Sequence, residues 1–544
     1  MLRIDNVKTE PGASVEELRV LAANALRVRA DAVEELRVLR RSVDARDGVY
    51  FVWSLAVSVR GNEADVLRRG GKNVSRYAPV SYAPPAPLAA VPAERPVIVG
   101  AGPAGLFCAL LLAECGARPI VLERGKAVEE RARDVERFWQ TGALDAESNV
   151  QFGEGGAGAF SDGKLNTGTK DPRHAYILER LVEYGAPPDI LVDAKPHVGT
   201  DRLYTVLQNL RRKLLSLGAE VRFAHRLTGL KTQNGAVRAV RVASPEGAYT
   251  LETQRLALAP GHSARDVFRL LRALDVPMEP KPFAVGVRIE HAQNAIDAAQ
   301  YKAAAGNPAL PPSSYKLAYH TRDGRGVFSF CVCPGGEVVA SASEEGGAVT
   351  NGMSRFARDG ANINGGLLVS VTPEDFGGAA AAGDPLSGDP LAGVAFQREL
   401  EEAAFRAGGG GYAAPAQTVG DFLAGRPSTR GGGVTPTYRP GVRWGDLRAC
   451  LPDFICDALA EALPELDRKL HGFAAPDAVL TAVESRSSSP VRILRDETYQ
   501  SALRGLYPCG EGAGWAGGIM SAAADGMRVA ESILESIRKE YRNE

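Results

Sequence analysis

The alternation of apolar and polar residues predicts a small α+β module at the start of the chain. An apolar stripe at helical spacing follows the first of three strand-like runs, which cover residues 2–8, 34–46 and 49–60. Ser14 is the predicted N-cap of that helix, with Glu17 at the capping-box spacing. The order βαββ predicts a module over residues 1–77, and the six prolines of residues 78–96 predict a stiff linker after it.

From residue 97 the pattern changes to short, wholly apolar strands followed by helices. Apolar strands at 96–100, 118–125 and 255–261 and a long terminal helix predict an α/β, Rossmann-like domain built from residues 97–274 and 481–544. Residues 275–480 instead carry alternating β-like runs and loops rich in alanine and glycine, at 377–393 and 406–416. They predict a mixed β-rich domain, inserted on the substrate side.

Composition narrows the class of protein. The 544 residues are 45% apolar and 24% charged, which is typical of a globular protein with two or three domains. The net charge of −1 gives no general attraction to nucleic acid or to an anionic membrane. No apolar run approaches the length of a membrane span, and no signal-peptide core opens the chain, so we expect a cytoplasmic protein with no membrane partner. Seven scattered cysteines indicate reduced thiols, and their spacing indicates no metal site.

A glycine motif between the first apolar strand and its helix predicts a dinucleotide site. Gly100 makes the tight turn, Gly102 lets the backbone approach a pyrophosphate, and Gly105 lets the helix pack on the strand. Glu123 ends the next strand, where a carboxylate binds both hydroxyls of an unphosphorylated ribose, as in FAD or NAD. The same segments supply three further candidate contacts, Pro103, Ala104 and Arg124.

Two later glycine loops favour FAD over NAD, because a buried FAD needs contacts along its whole length. The first, in "NVQFGEGGAGAFSDGKL", provides Gly153, Gly155, Gly156 and Gly158. The second, in "YPCGEGAGWAGGI", provides Gly510, Glu511, Gly517, Gly518 and Ile519, and Gly261 follows the strand at 255–261. The helix after Gly518 is predicted to direct its N-terminus at the flavin. Arg131 is predicted either to reach the FAD phosphates or to be an exposed helix arginine.

These motifs also carry a resemblance to a known family. Together with "LAPGHSARD", "KPFAVGVRIEH", "FCVCPGG" and "ESRSSSPVRI", they span residues 97–530. The chain resembles a family of FAD-dependent oxidoreductases from bacteria and plastids, within the glutathione-reductase-like flavoproteins. The resemblance implies FAD in the α/β domain and an inserted β-rich domain over the flavin, and it implies no particular reaction. The stretch "ANINGGLLVSV" is less polar than that family's pattern.

The candidate catalytic residues are Lys164, Arg486 and Cys333. Lys164 is either a cation that stabilises the reduced flavin or a solvated lysine. Arg486 either holds a carboxylate or phosphate of the substrate or forms a salt bridge in a polar loop. Cys331 and Cys333 are predicted to face the same side of a strand. They are either a redox pair, or one thiol beside the flavin, or, the interpretation we favour, small core residues.

Histidines offer two weaker candidates. His197 and His262 each follow a strand and are either acid/base groups or structural loop residues. Thr200 is predicted to be a helix N-cap.

The predicted function is an FAD-dependent oxidoreductase, a dehydrogenase of a small molecule with non-covalently bound flavin. The chain contains no second complete strand–GxGxxG–helix unit, so NAD(P)H would have to enter the substrate cavity. The alternatives are a flavoprotein that acts on RNA through the N-terminal module and a non-catalytic, FAD-stabilised interaction protein. Residues 1–76 carry 14 lysines and arginines against 11 acidic residues. This excess of positive charge is too small for an RNA-binding surface, so no nucleic acid is expected as a partner. We also expect few contacts between the N-terminal module and the FAD domain. A chain that starts near Val91 is expected to fold and to retain FAD. The pattern leaves the oligomeric state open.

Overall fold

The computed structural model describes residues 1–378 and 388–543. The middle of the alanine- and glycine-rich loop at 377–393 therefore lies outside the described residues.

The N-terminal residues form a four-stranded sheet. In chain order its elements are β1 (Leu2–Thr9), α1 (Val15–Leu26), β2 (Val33–Asp44), β3 (Tyr50–Val59), α2 (Glu63–Arg69) and β4 (Val74–Arg76). The strand order is β2-β3-β1-β4, and the Ser14 hydroxyl accepts a hydrogen bond from the backbone N–H of Glu17 at 3.2 Å, as predicted. The βαββ pattern is present, but α2 and β4 were not predicted because elements of seven and three residues show little periodicity.

A second group of elements follows the proline-rich segment. They are β5 (Val97–Val99), α3 (Pro103–Glu114), β6 (Ile120–Glu123), α4 (Val128–Thr141), α5 (Arg173–Glu183), α6 (Thr200–Ser216), β7 (Glu220–Phe223), β8 (Arg226–Gln233), β9 (Ala236–Ser244), β10 (Gly247–Glu252), β11 (Leu256–Leu258) and α7 (Arg265–Ala273).

The remaining elements run to the end of the described chain. They are β12 (Met278–Pro280), β13 (Phe283–Ala292), α8 (Gln293–Tyr301), β14 (Ala318–His320), β15 (Gly326–Cys333), β16 (Glu337–Ala340), β17 (Thr350–Met353), β18 (Asn362–Val371), α9 (Ala392–Ala407), β19 (Ala414–Thr418), α10 (Val419–Leu423), β20 (Val442–Trp444), α11 (Asp453–Lys469), β21 (Val479–Glu484), β22 (Val491–Ile493), β23 (Leu506–Pro508) and α12 (Ile519–Asn543).

A parallel sheet of five strands, in the order β23-β11-β5-β6-β7, forms the Rossmann-type core. The run "LFCALLLA" is buried on every side because α3 packs against both the sheet and α12. Strands β8, β9 and β10 form a separate antiparallel sheet beside it. The α/β fold predicted from the apolar strands is therefore confirmed.

A mixed sheet of seven strands, in the order β14-β15-β18-β13-β21-β19-β20, is the second large layer. It consists of β13 and of six strands that lie between residues 318 and 484. Of its neighbouring strands, only β19 and β20 pair in parallel. Strand β21 runs to Glu484, past the boundary at 480 that the sequence pattern suggested. The sheet brings the middle of the chain against the carboxyl edge of the parallel sheet.

The proline-rich segment packs on the α/β core. The backbone N–H of Leu88 donates to the carbonyl of Cys115 at 2.9 Å, and the Tyr82 hydroxyl donates to Glu531 at 2.6 Å. At the module itself, Arg41 exchanges backbone hydrogen bonds with Val192 and Ala194. The module itself therefore makes few contacts with the α/β core, as expected, whereas the proline-rich segment docks on that core. Among the described residues, no helix combines the length and the apolar character that crossing a bilayer requires.

Candidate active site

A cavity of about 370 Å³ opens at the carboxyl ends of the parallel strands. Val99 at the end of β5, Glu123 at the end of β6 and Ala259 just after β11 all line it. The other side is lined by Cys331 and Glu484, which come from the seven-stranded sheet. The carboxyl edge of an open parallel sheet is the usual place for a ligand in α/β proteins.

The first glycine motif forms the floor of this cavity. Gly100, Gly102, Pro103 and Ala104 all line it. Gly100 has φ +101°, and a Cβ there would overlap the carbonyl oxygen of Ala259. Gly105 does not line the cavity: a Cβ there would overlap the Gly100 carbonyl oxygen, so this glycine serves helix–strand packing, as predicted.

The second glycine loop lies directly against the first. A Cβ on Gly156 would be 3.1 Å from the Cα of Gly102, so the two backbones face each other without side chains between them. Gly153, Gly156 and Gly158 line the cavity. Gly155 does not, since its Cα faces Leu207 at the back of the loop.

Arg131 supports this loop from behind. Its side chain is 0% exposed and does not line the cavity, so both predictions for it, a phosphate contact and an exposed helix arginine, are wrong. Its guanidinium donates to the carbonyl oxygens of Asn149 (2.8 Å), Val150 (3.0 Å) and Glu154 (2.6 Å). Gly153 has no room for a Cβ because the Arg131 side chain passes beneath it. Sequence pattern missed this role because the acceptors are backbone atoms distant in the chain.

Glu123 lines the cavity and ties the glycine segments together. Its carboxylate, 4% exposed, accepts hydrogen bonds from the backbone N–H groups of Ala101 (2.8 Å), Gly125 (2.8 Å) and Gly153 (2.9 Å). A carboxylate has about four lone-pair positions, so capacity for a further donor remains. Glu123 is therefore both a structural anchor and a candidate ligand residue.

Arg124 lines the cavity next to Glu123, but its guanidinium already has partners. It forms ion pairs with Glu147 (2.7 Å) and Asp266 (2.9 Å) and lies 4.1 Å from the ring centroid of Phe152. A ligand at this end of the cavity would meet a guanidinium plane held in place by two carboxylates.

The third glycine loop contributes part of its predicted set. Gly261, Glu511, Gly518 and Ile519 line the cavity, whereas Gly510 and Gly517 do not. The N–H of Gly510 donates to Asp525 at 2.8 Å, which fixes the loop to α12. Burial raises the pKa of Glu511 to about 7.

His262 lines the cavity in its neutral form. Burial, with the positive charges of Arg486 and Arg265, lowers the pKa of its imidazole to about 3. Its Nε2 is buried with no partner among the described residues, and its Nδ1 lies 3.9 Å from Glu511. His197 instead bonds the carbonyl of Phe356 at 3.0 Å and does not line the cavity.

The prediction for Thr200 is wrong, and of the two alternatives for Arg486 the structure bears out the salt bridge. Thr200 is not an N-cap, because α6 already begins there and Gly199 takes the cap position. The Arg486 guanidinium lines the cavity, but two hydrogen bonds, at 2.9 and 2.8 Å, commit it to the carboxylate of Glu401. Arg265 binds the same carboxylate at 2.9 Å, so Arg486 belongs to a buried ion cluster and has little capacity left to hold a substrate anion.

Lys164 lines the cavity as a charged group. Its side chain is 26% exposed, and its Nζ lies 3.1 Å from the buried carboxylate of Asp162. Burial works against the charge, but Cys333, Cys331 and Asp162 outweigh it, and the pKa of Lys164 is raised. The lysine is therefore neither freely solvated nor neutral, and it places a positive charge on the cavity wall.

The two neighbouring thiols are not equivalent. β15 bulges between Phe330 and Cys333, so the prediction that Cys331 and Cys333 share one face of a regular strand is wrong. Cys331 lines the cavity and is partly exposed, whereas the candidate Cys333 is fully buried and does not line it. Arg288, fully buried behind both, forms an ion pair with Glu484 at 3.1 Å. Burial raises the pKa of Glu484 to about 7.

Several lining residues were not predicted from the sequence. His225, Arg226 and Leu227 come from the start of β8 and the residue before it. Phe330 comes from β15 in the seven-stranded sheet, and Asn351 comes from β17, which pairs with β16 in a separate two-stranded sheet. Only Phe330 belongs to a motif quoted above, "FCVCPGG", and the other four belong to none. They line the cavity only because the fold brings these distant segments to one edge of the parallel sheet.

The glycine-rich lining of the cavity suits a nucleotide cofactor. Gly261 and Gly518 both have left-handed φ values, +76° and +77°, and a Cβ on either would meet no atom within 4 Å. Like Gly102 and Gly156, whose backbones face each other, they line the cavity without a side chain that would fill it. Glu123 supplies a carboxylate at the strand end. The described residues hold no group of histidine, cysteine and acidic side chains able to bind a metal ion.

Comparison with known proteins gives matches over most of the chain. A family described as "FAD binding domain" matches residues 95–265, one described as "FAD-dependent protein, C-terminal domain-like" matches residues 282–487, and a domain of unknown function matches residues 1–58. An uncharacterized protein of Clostridium beijerinckii is 43% identical over 98% of both chains. The 12-dehydrotetracycline 5-monooxygenase/anhydrotetracycline 6-monooxygenase of Streptomyces rimosus is 33% identical over 35% of each chain.

Solved structures give more distant matches. A flavin-dependent brominase triple mutant has a TM-score of 0.37 and 14% identity, over 82% of this chain and 81% of that chain. Aklavinone-11 hydroxylase, solved with FAD and aklavinone, has a TM-score of 0.35 and 14% identity, over 82% of this chain and 63% of that chain.

Proposed function

This chain belongs to a family of FAD-dependent proteins, and we propose that it uses its FAD to dehydrogenate a small organic molecule in the cavity between its two large sheets. The observation that supports this most is the composition of one continuous cavity. Its floor is formed by glycine backbones at the edge of the parallel sheet, and its opposite wall carries Lys164, Cys331 and Glu484. One side suits a cofactor, and the other suits chemistry on a second molecule.

FAD is the cofactor. We propose that the backbone N–H groups around Gly102, Gly156 and Gly158 hold its diphosphate and that Glu123 holds its ribose. Glu511 and the first turn of α12, at Ile519, would contact the other half of the cofactor. When bound, FAD supplies an acceptor for a hydride or for electrons.

The side chains opposite this floor would assist the substrate. Lys164 provides positive charge where negative charge develops during reduction. Glu484, whose pKa lies near neutrality, can accept a proton from a substrate hydroxyl or amine. Ser487 also lines this wall and offers a hydroxyl for hydrogen bonding. NAD(P)H, if it is the reductant, would enter from this same side.

The direct test is anaerobic reduction of the FAD-loaded protein. We expect NADH, NADPH or a member of a small-molecule library to bleach the visible flavin absorbance. Lys164→Met should lower the flavin reduction potential because a nearby cation is lost, whereas Lys170→Met, an exposed lysine, should leave it unchanged. A potential that is equal in both variants would contradict the role of Lys164. A flavin that no small molecule reduces would favour a non-catalytic, FAD-stabilised interaction protein instead.

A second candidate function is hydroxylation. It is favoured by the 33% identity over 198 residues with the anhydrotetracycline enzyme of Streptomyces rimosus. A monooxygenase consumes molecular oxygen and places one of its atoms in the product. Turnover that continues without oxygen, with an artificial electron acceptor added to reoxidise the flavin, supports the dehydrogenase, and incorporation of labelled oxygen into the product supports the hydroxylase.

A further inference from the structure

Cys331 occupies an unusual position for a cysteine of this chain. It is partly exposed to the cavity, whereas each of the other six cysteines is buried. Its φ of +41° is in the left-handed region, which is costly for a residue with a side chain. Strain of this kind persists only where the surroundings hold it, and it is common at ligand and active sites. Here the bulge in β15 turns Cys331 towards the cavity.

Two cations lie against the thiol pair from different parts of the chain. Lys164 Nζ is 3.8 Å from Cys333 Sγ, and Arg288 Nη2 is 3.7 Å from the same sulfur. Arg288 Nη2 also donates a hydrogen bond to the carbonyl oxygen of Cys331 at 3.1 Å. Hydrogen bonding with Cys333 lowers the pKa of Cys331, and the charges of Lys164 and Arg288 act in the same direction.

Glu484 completes this cluster on the cavity side. It is 4% exposed and lines the cavity, and its Oε2 accepts no hydrogen bond from the described residues. The same Arg288 that holds the Cys331 backbone lies 3.1 Å from this oxygen through Nη1. One guanidinium therefore contacts the Cys331 backbone, the Cys333 sulfur and the Glu484 carboxyl group at the same cavity wall.

We propose that Cys331, the thiol of the pair that faces the cavity, is a peroxide-reactive nucleophile, with the positive charges that Lys164 and Arg288 place beside the pair favouring its thiolate and Glu484 supplying a proton. The sulfur attacks the terminal oxygen of a hydroperoxide, which keeps its hydrogen, and the O–O bond breaks as the S–O bond forms. The departing oxygen takes the proton of Glu484 and leaves as water or an alcohol. The peroxide is reduced by two electrons, and Cys331 becomes a sulfenic acid.

The test uses the full-length, FAD-loaded protein and stoichiometric hydrogen peroxide at neutral pH, with dimedone as the trap for sulfenic acid. Peptide mapping by mass spectrometry should find the adduct on Cys331 and none on buried Cys450. Cys450→Ala should keep the Cys331 adduct. Lys164→Met should slow its formation about twofold at neutral pH and by up to about tenfold at a pH well below the thiol pKa, the effect of raising that pKa by about one unit, and Lys164→Arg should restore it. An adduct spread evenly over several cysteines, or no adduct, would overturn the proposal.

A second measurement keeps the proposal testable if a Lys164 variant fails to bind FAD. The rate of iodoacetamide alkylation of Cys331 in the unaltered protein, followed against pH, should have its midpoint below the value of about 8.5 for a free thiol. A midpoint at or above that value would overturn the proposal. Both readouts are independent of turnover, so a protein that dehydrogenates no small molecule would still form the adduct.

Discussion

Replacing Arg131 with methionine separates two explanations of how the second glycine loop is held. In the structure the guanidinium touches no part of the cavity and donates to three carbonyl oxygens of the loop, at 2.8, 3.0 and 2.6 Å. Burial lowers its pKa to about 10, so it stays charged at neutral pH. The arginine therefore acts on a ligand only through the position of residues 149–154.

The magnitude follows from what the substitution leaves behind. Three buried carbonyl groups lose their donor, at about 1–3 kcal/mol each. Removing a buried charge recovers part of this cost, and methionine fills much of the volume. We expect the free energy of unfolding of the apoprotein to fall by about 3 kcal/mol. The FAD dissociation constant should rise by about tenfold or more, since 1.4 kcal/mol of lost loop order is tenfold in affinity.

The assay is urea denaturation of the apoprotein together with FAD titration by flavin fluorescence. Arg133→Met is the matched control, because Arg133 is exposed on the same helix and should change neither quantity. Weaker FAD binding with unchanged apoprotein stability would refute this reasoning, since it would mean that Arg131 touches the cofactor directly. Unchanged values for both quantities would show that the loop is held by other contacts.

Glu123→Ala should weaken FAD binding by roughly 2–4 kcal/mol and also destabilise the apoprotein, because the carboxylate accepts hydrogen bonds from three backbone N–H groups. Isothermal titration measures the first effect and thermal melting the second. Flavin reduction in the unaltered protein should speed up as the pH rises through about 7, where Glu484 loses its proton, and Glu484→Gln should remove this step from a stopped-flow pH profile. A chain that starts near Val91 lacks the contacts of Tyr82 and Leu88 and should melt lower than one that starts at residue 79, which keeps them; equal melting temperatures would contradict this. Full-length protein should bind tRNA weakly, with affinity lost at physiological salt in a filter-binding assay, since residues 1–76 carry little net charge.

Much of the fold was readable from local sequence because the information is local. Apolar runs such as residues 97–99 and 256–258 are typical of buried strands. The burial of α3 is indicated by its composition, since nearly all of its residues are apolar. The glycines at 100, 102 and 105 follow from what a strand-to-helix turn around a phosphate needs. These features depend on neighbours within a few residues, so composition and spacing determine them.

The roles of the polar residues were decided by tertiary structure. Arg131 and Arg486 are both arginines in polar surroundings in the sequence, yet one is buried under a loop and the other is bound to Glu401. Cys331 and Cys333 are two apart, and only a bulge, with Lys164 and Arg288 arriving from elsewhere, separates a cavity thiol from a core thiol. A side chain's partner depends on which distant segments the sheets bring together, and that long-range pairing has no local pattern.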